Sequence, residues 1–190
     1  MSPGRAGATA EDARVARTRT DVARASLDVL TTDGFDELTH ARVARLAGYS
    51  KTTLYTHWPS RVDLLTMALG ALGELPHHEP TGDLRADLIA ELHAFRDAIN
   101  DLGLDRVLMV LAQWGASVDE IGRIRTDLVA DGEHIARRLL SQLAEGIRLE
   151  AAVSMLSGVV VCPTLMYGSP PDDTTVEHAI DILLAGLRAP

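Results

Sequence analysis

The sequence has little of what small secreted domains and β-sheets require. Its 190 residues include one cysteine, Cys162, which excludes an internal disulfide and a four-cysteine zinc site. Aromatic residues make up only 4% of the chain, and runs of β-branched residues are few. Hydrophobic residues nevertheless reach 46%, with alanine and leucine abundant, which is enough for a folded core. This composition predicts an all-α fold.

Targeting and membrane-spanning segments are also lacking. Residues 1–10 are small and polar, without the apolar centre of a signal peptide, and are expected to form a flexible arm. The apolar stretch 151–167 has no charged residue but is only 17 residues long, which falls short of the roughly 20 apolar residues of a membrane span. We expect it to be a helix buried on both sides and kinked at Pro163. The sequence thus predicts a soluble cytoplasmic protein with no membrane partner.

Motifs of the common enzyme classes are absent as well. The chain has no Gly-x-Ser-x-Gly, no phosphate-binding glycine loop and no His-Glu-x-x-His, so we predict no enzymatic activity and no catalytic residue. The adjacent His77 and His78 lie in a loop between Pro76 and Pro80, where we expect them to be solvated. We therefore predict no metal site and no cofactor, and we expect Cys162 to be a small buried residue.

The net charge of −9 argues at first against a nucleic acid partner, but it is unevenly distributed. Through Asp63 there are nine basic and eight acidic residues, a balance of +1; the remainder has nine basic and 19 acidic residues, a balance of −10. Such asymmetry indicates two parts with different partners. An ordinary domain with an acidic surface explains the charge equally well.

Helical periodicity covers nearly the whole chain and predicts about nine helices. The first four are expected at 11–32, 40–47, 51–58 and from 61 to about 75, with Val15, Val22, Leu27, Leu30, Val43 and Leu46 facing inward. The proline-flanked break at 76–80 predicts a domain boundary. Five more helices follow, including a long seventh helix with apolar residues from Val118 to Leu143 and an eighth from about Leu149 to Tyr167. We therefore predict an arm at 1–10, one domain at 11–75 and another at 76–190.

The segment 38–57 has the pattern of a helix-turn-helix, two short helices joined by a turn at Gly48. Thr39 and Ser50 are predicted helix caps, and Ser60 with Asp63 a capping box. At 100° per residue, Leu54 and Trp58 face inward together, while the outer side has no acidic residue. The residues on that side are Lys51, Thr52, Thr53, Tyr55, Thr56 and His57. Such side chains bind phosphates and base edges, although a three-helix bundle with a threonine-rich face fits the same pattern.

Residues 19–65 resemble the DNA-binding domain of TetR-type transcriptional repressors. The shared features are Asp33-Gly34-Phe35, Val43-Ala44-Arg45-Leu46-Ala47-Gly48 and the stretch from Ser50 to Trp58, which has the pattern Ser-Lys-x-Thr-Leu-Tyr-x-His-aromatic. Trp58, Arg61 and Thr52 depart from the residues that are commoner in the family. The resemblance implies phosphate contacts from Thr39, Ser50, Thr53, His57 and Arg61. It also implies base contacts from Lys51, Thr52, Tyr55 and Thr56, which His40 could join.

For the rest of the chain the resemblance implies an effector-binding and dimerisation domain. Candidate pocket residues are Met67, His93, Phe95, Met109 and Trp114, and candidate dimer residues are Val153, Leu156, Val160, Ile180 and Leu184. The eighth helix is apolar on nearly all sides, which indicates either a dimer contact or a central helix of the monomer. The expected function is a homodimeric repressor that binds a palindromic DNA operator and is released by a small, largely apolar effector. Alternatives are a ligand-independent or activating regulator, and a helical interaction module or enzyme without DNA binding.

Overall fold

A computed structural model of the chain describes residues 10–189, with side chains described from Ala13 onward. This part of the chain contains nine α-helices, one short 3-10 turn at Phe35–Glu37 and no strand, which confirms the predicted all-α fold. The helices are α1 (Ala10–Asp33), α2 (His40–Ala47), α3 (Lys51–His57), α4 (Arg61–Leu72), α5 (Leu84–Leu102), α6 (Leu104–Trp114), α7 (Asp119–Leu140), α8 (Gly146–Tyr167) and α9 (Asp173–Arg188). The predicted arm lies outside the described residues except for Ala10, where α1 begins.

Internal contacts divide the chain into two units, Met1–Gly73 and Glu74–Pro190, which we call unit 1 and unit 2. In unit 1, α1 packs against α4 and α2, and α2 packs against α3. The core of unit 1 is aliphatic; its fully or nearly fully buried side chains include Val22, Leu30, Leu38, Val43, Leu54, Leu64 and Leu65.

Hydroxyl caps begin the helices of unit 1 after α1. The Thr39 hydroxyl accepts from the backbone N–H of Arg42, and the Ser50 hydroxyl accepts from that of Thr53. Ser60 and Asp63 form the reciprocal capping box, with the Ser60 N–H donating to the Asp63 carboxylate over 2.7 Å. Gly48 ends α2 in the left-handed region at φ 77°, a conformation that strains residues with a side chain. These observations confirm the predicted caps, capping box and turn.

Some sequence expectations in unit 1 are wrong in detail. Val15 and Leu46 are about half exposed, because each lies on a helical face that no other described element of unit 1 covers. Helix α3 ends at His57, one residue before the predicted end, and Trp58 is only half-buried. Helix α4 ends at Leu72 rather than near 75, because Gly73 takes a positive φ of 73°.

Unit 2 is built around α5, which packs against α6, α7, α8 and α9. Helix α5 has an apolar stripe that faces inward, with Leu88, Leu92 and Ile99 buried. Helix α7 ends at Leu140 rather than Leu143, and α8 begins at Gly146 rather than 149. The two helices α6 and α7 approach closely near Gly115 and Gly122; a Cβ on Gly122 would lie 2.8 Å from the Gly115 carbonyl oxygen.

Helix α8 continues through Pro163 and is 22 residues long. By length and hydropathy it reaches the range of a membrane span, a property that core helices of soluble proteins share. Its inner face, which includes Ala152, Val153, Leu156 and Val160, is buried within unit 2. The opposite face is exposed, so the expectation of a helix buried on both sides does not hold within one chain.

Candidate DNA-binding surface and effector cavity

Helix α3 turns one apolar residue inward and a polar face outward. Leu54 is fully buried, whereas Lys51, Thr52 and Thr56 are exposed. The helix contains no acidic residue, and no ion-pair partner of Lys51 is found among residues 10–189. The outer face therefore combines a cation with hydroxyl groups, which are the donors and acceptors that DNA phosphates and base edges require.

Tyr55 is fixed on this face by an aromatic stack with α2. The two ring centroids of Tyr55 and His40 lie 4.0 Å apart with an interplanar angle of 11°, and 55% of Tyr55 stays exposed. His40 itself is only 5% exposed, and its Nε2 lies 2.5 Å from the carbonyl oxygen of Trp58, to which it donates. This burial favours a supporting role for His40 over the predicted base contact. The geometry instead makes His40 a support that orients the Tyr55 ring and ties α2 to the end of α3.

Arg61 is engaged inside unit 1 rather than extended toward solvent. Its guanidinium lies 4.5 Å from the centroid of the Phe35 ring and donates a hydrogen bond to the Phe35 carbonyl oxygen. The Asp36 carboxylate lies 3.9 Å away. These contacts anchor the 3-10 turn to the start of α4, while 39% of the Arg61 side chain stays exposed and its phosphate contact stays a prediction. Arg42 is similarly engaged, since it pairs with Asp33 at 2.5 Å.

The hydroxyl groups around α3 already make internal hydrogen bonds, but each retains capacity. Thr39 and Ser50 accept backbone N–H groups as caps, and Ser50 also bonds the Thr53 hydroxyl at 2.8 Å. The Thr56 hydroxyl donates to the Thr52 carbonyl oxygen over 2.8 Å, which leaves its own oxygen free to accept. His57 is exposed at the last residue of α3. These groups lie around the exposed face of α3, and their contacts with DNA stay a prediction.

Unit 2 encloses a cavity of about 490 Å³ between α5, α6, α7 and α8. Its wall is mainly apolar and includes Leu92, Phe95, Leu108, Met109, Leu128 and Leu156. The charged residues that line it are Glu91, Asp105, Arg125 and Glu133. A volume of this size with an apolar wall and few polar groups suits a small organic ligand.

The structure places two of the five predicted pocket residues, Phe95 and Met109, in the cavity wall. The other three are elsewhere. Met67 is a buried residue of α4 in unit 1, and the Nε2 of His93 lies 3.4 Å from the Asp173 carboxylate at the start of α9. Trp114 is the last residue of α6 and is half-buried outside the cavity wall. Their residue types suit a pocket, but their helical faces point to other neighbours.

The loop 76–83 is held by two buried carboxylates of α5 that sequence reasoning missed. Glu91 accepts from His77 Nδ1 at 2.7 Å and from the His78 backbone N–H at 2.8 Å. Asp87 accepts from the backbone and hydroxyl of Thr81, from the Gly82 N–H and from His78 Nε2. The expectation that both histidines are solvated is therefore wrong.

These bonds also set the acidity of Asp87. The Thr81 backbone N–H is the main group holding the pKa of Asp87 well below its ordinary range, with further lowering by the Thr81 hydroxyl, the Gly82 N–H and His78. A usable signal existed in the sequence, because Asp87 and Glu91 fall on the same face of α5 as Leu88 and Leu92. An acidic residue beside an apolar stripe indicates a buried carboxylate that accepts hydrogen bonds within the fold.

The five predicted dimer residues point into unit 2. Val153, Leu156, Val160, Ile180 and Leu184 are all at most 3% exposed. On their opposite faces α8 and α9 expose other apolar residues, among them Met155, Leu165, Met166 and Ile182. Cys162 is on this exposed side as well, contrary to the expectation of burial. The predicted helices thus carry an exposed apolar surface, but through residues other than those predicted.

Comparison with known proteins agrees with this architecture in both units. Residues 23–67 match the family model of bacterial regulatory proteins of the tetR family, and residues 78–183 match that of the tetracyclin repressor-like C-terminal domain. The crystal structure of a TetR family transcription regulator is similar to this chain with a TM-score of 0.64 and 31% identity, covering 92% of this chain and all of that one. A TetR transcriptional regulator from Agrobacterium tumefaciens shares the fold with a TM-score of 0.70 at 20% identity, over 88% of this chain and 92% of that one.

Two curated relatives give the same result by sequence. A DNA-binding transcriptional repressor TetR of Mycobacteroides abscessus is 41% identical over 73 residues, which cover 37% of this chain and 38% of that protein. This chain therefore spans well under half of that relative's length. An uncharacterised HTH-type transcriptional regulator of Mycobacterium tuberculosis is 26% identical over 171 residues, covering 85% of this chain and 83% of the relative.

Proposed function

Because this chain belongs to the TetR family of bacterial regulatory proteins, we propose that it represses transcription as a homodimer on a palindromic operator and releases DNA when a small, largely apolar effector binds. The chain is a DNA-binding transcriptional regulator of this family and not an enzyme. The observation that carries the proposal is the outer face of α3, which has no acidic residue. Unit 1 holds this helix by its caps at Ser50 and Trp58 and by the stack of Tyr55 on His40. We place the protein in the cytoplasm, where its DNA target is.

The DNA contacts come from the exposed face of α3 and from the hydroxyl groups around it. Lys51, Thr52, Tyr55 and Thr56 approach base edges from the exposed face of α3. Thr39, Ser50, Thr53 and His57 contact phosphates around it, and the free N–H groups at the start of α3 add a partial positive charge. His40 and Arg61 act through other residues, the first by orienting Tyr55 and the second by fixing the turn before α2.

The apolar surface of α8 and α9 supports the dimer. Met155, Met166 and Ile182 are between 58% and 75% exposed, more than a monomer usually leaves on two adjacent helices. A two-fold pairing of this surface buries it and doubles the number of DNA contacts. On a palindromic operator the two α3 helices then occupy half-sites about 34 Å apart.

The cavity in unit 2 favours a ligand-responsive regulator over a ligand-independent one. A filled or wholly polar interior would leave no place for an effector, whereas this one has 490 Å³ with an apolar wall. The few charged groups at the edge, including Arg125 and Glu133, give the ligand polar contacts that fix its orientation. An effector that binds one conformation of the dimer better than the other shifts its affinity for the operator.

The direct test is DNA binding by the intact protein on a duplex found by footprinting the DNA that flanks its own gene. We expect a specific complex that the double variant Lys51→Ala/Tyr55→Ala loses, while the matched variant Arg138→Ala, which removes an exposed cation of unit 2, keeps it. Operator affinity of the double variant equal to that of the wild type would refute the site assignment. Addition of an apolar compound library should then identify molecules that dissociate the complex.

A further inference from the structure

Three side chains with metal-binding atoms meet where the loop 76–83 passes α7. One ligand atom each of His77, Asp131 and His134 lies within 4.8 Å of the other two. The rings of His77 and His134 are in contact, with centroids 4.5 Å apart and planes at 74°. Asp131 and His134 are three residues apart on α7 and therefore share one face of that helix.

The hydrogen bonds of the two histidines fix which ring nitrogen is free. His77 Nδ1 lies 2.7 Å from a carboxylate oxygen of Glu91, and His134 Nδ1 lies 2.6 Å from the backbone carbonyl oxygen of Asp131. Both partners are acceptors, so each Nδ1 donates, and each neutral ring leaves the lone pair on its Nε2. The Nε2 of His77 is buried and has no hydrogen-bond partner among residues 10–189. A buried nitrogen of this kind needs a partner.

We propose that His77, Asp131 and His134 bind a divalent first-row transition metal ion such as Zn²⁺. Two imidazole nitrogens and one carboxylate oxygen are a ligand set that such ions prefer, and a fourth position stays open to water or a small ligand. Tetrahedral ligands at zinc distances are roughly 3.4 Å apart. Asp131 and His134 are exposed, so their side chains have room to move and close the present spacing to that value.

Glu91 is the second-shell partner that metal-bound histidines usually have. It is 4% exposed, and it orients the His77 ring through Nδ1 while its other oxygen holds the His78 N–H. The same carboxylate belongs to the edge of the effector cavity. The metal would therefore share one side chain with the effector, but its binding is a separate property that is measured without DNA or effector.

The test uses the full chain without a histidine tag, treated with a chelator and then titrated with Zn²⁺, and with Co²⁺ as a spectroscopic probe. We expect one ion per chain, a rise in Tm with Zn²⁺, and visible Co²⁺ absorption bands. Asp131→Asn and His134→Ala should each weaken binding by at least about tenfold, and Glu91→Gln by about 10–100-fold. Since Asp131 and His134 are exposed, these two variants keep the fold, which circular dichroism verifies.

The matched control is His178→Ala, because His178 is also an exposed helical histidine whose Nδ1 is bonded to a backbone carbonyl, that of Thr174 at 2.8 Å. It should bind Zn²⁺ as the wild type does. Wild-type protein that binds no ion, or equal affinity in His134→Ala and the wild type, overturns the proposal. Loss of binding in Cys162→Ser overturns it too, because the exposed thiol would then be the ligand.

Discussion

Replacement of Lys51 by alanine tests whether the exposed face of α3 contacts DNA. The salt dependence of binding counts the phosphates that cations neutralise, with a slope of log K against log salt concentration of about −0.9 per phosphate. Lys51 is exposed and has no ion-pair partner among the described residues, so its full charge passes close to the phosphates as the side chain reaches the base edges, and we expect it to neutralise about one of them. Arg61 is different, because its guanidinium stacks on Phe35 and lies beside Asp36.

The two residues therefore give opposite expectations. Lys51→Ala should reduce the magnitude of the slope by about 0.9 per protomer, or about 1.8 for a dimer, so that a tenfold rise in salt weakens the variant about 60-fold less than the wild type. Arg61→Ala should leave the slope unchanged. It should instead lower the free energy of unfolding of unit 1 by about 1–3 kcal/mol, through loss of the cation–π contact and the hydrogen bond to Phe35.

The assay is fluorescence anisotropy with the footprinted operator over a series of salt concentrations, paired with thermal unfolding of each variant. An unchanged slope in Lys51→Ala would show that this cation neutralises no phosphate in the complex and would refute its placement on the DNA. A slope reduced equally by Arg61→Ala would show that the guanidinium leaves Phe35 to bind phosphate, and our reading of its contacts would be refuted.

Four further predictions follow from single contacts. His40→Ala should destabilise unit 1 by about 2–4 kcal/mol. His40→Phe should cost about half as much, because Phe keeps the stack on Tyr55 but loses the hydrogen bond to the Trp58 carbonyl oxygen; equal Tm values of the wild type and both variants in thermal denaturation would contradict this. Ala136→Phe should fill part of the cavity and abolish effector release in anisotropy while operator binding persists, because Ala136 lines the wall; unaltered release would argue for another pocket. Ile182→Glu should give monomers in analytical ultracentrifugation, and a persisting dimer would exclude this exposed residue from the interface. Because the pKa of Asp87 is lowered chiefly by the Thr81 N–H, the stability it supplies is complete above its unfolded pKa of about 3.9 and lost as pH falls further; unfolding curves for Asp87→Asn should lack this acid loss, and parallel pH profiles would refute it.

The DNA-binding half was predictable because its signals are local. Capping by Ser50 depends on residues three positions apart, and the turn at Gly48 depends on one glycine, so the sequence contains all that is needed. The outward face of α3 follows from helical periodicity in the same way. Helical periodicity does not predict which residue each side chain contacts. The stack of Tyr55 on His40 and of Arg61 on Phe35 depends on how three helices cross.

The second half was less predictable because its signals are not local. Helix α8 is apolar on most sides, so its sequence does not indicate which side faces the monomer core. Val153 and Val160 look as suitable for a dimer contact as Met155 and Met166, and only the structure separates the buried pair from the exposed pair. Similarly, nothing near His77 in the chain points to His134, since 57 positions separate them.

In α3 the residue that packs in the core and the residues that face outward are different, and this affects how the regulator can change its DNA target. Of the seven residues of α3, only Leu54 is buried. Among the described residues of unit 1, the side chains of Lys51, Thr52 and Thr56 make no hydrogen bond or ion pair except the bond of the Thr56 hydroxyl to the Thr52 backbone. Substitution at such exposed positions usually alters stability by no more than about 0.5 kcal/mol. Operator preference is therefore free to evolve almost independently of folding. A library randomised at these three positions should consist mostly of folded proteins that differ in the sequence they read.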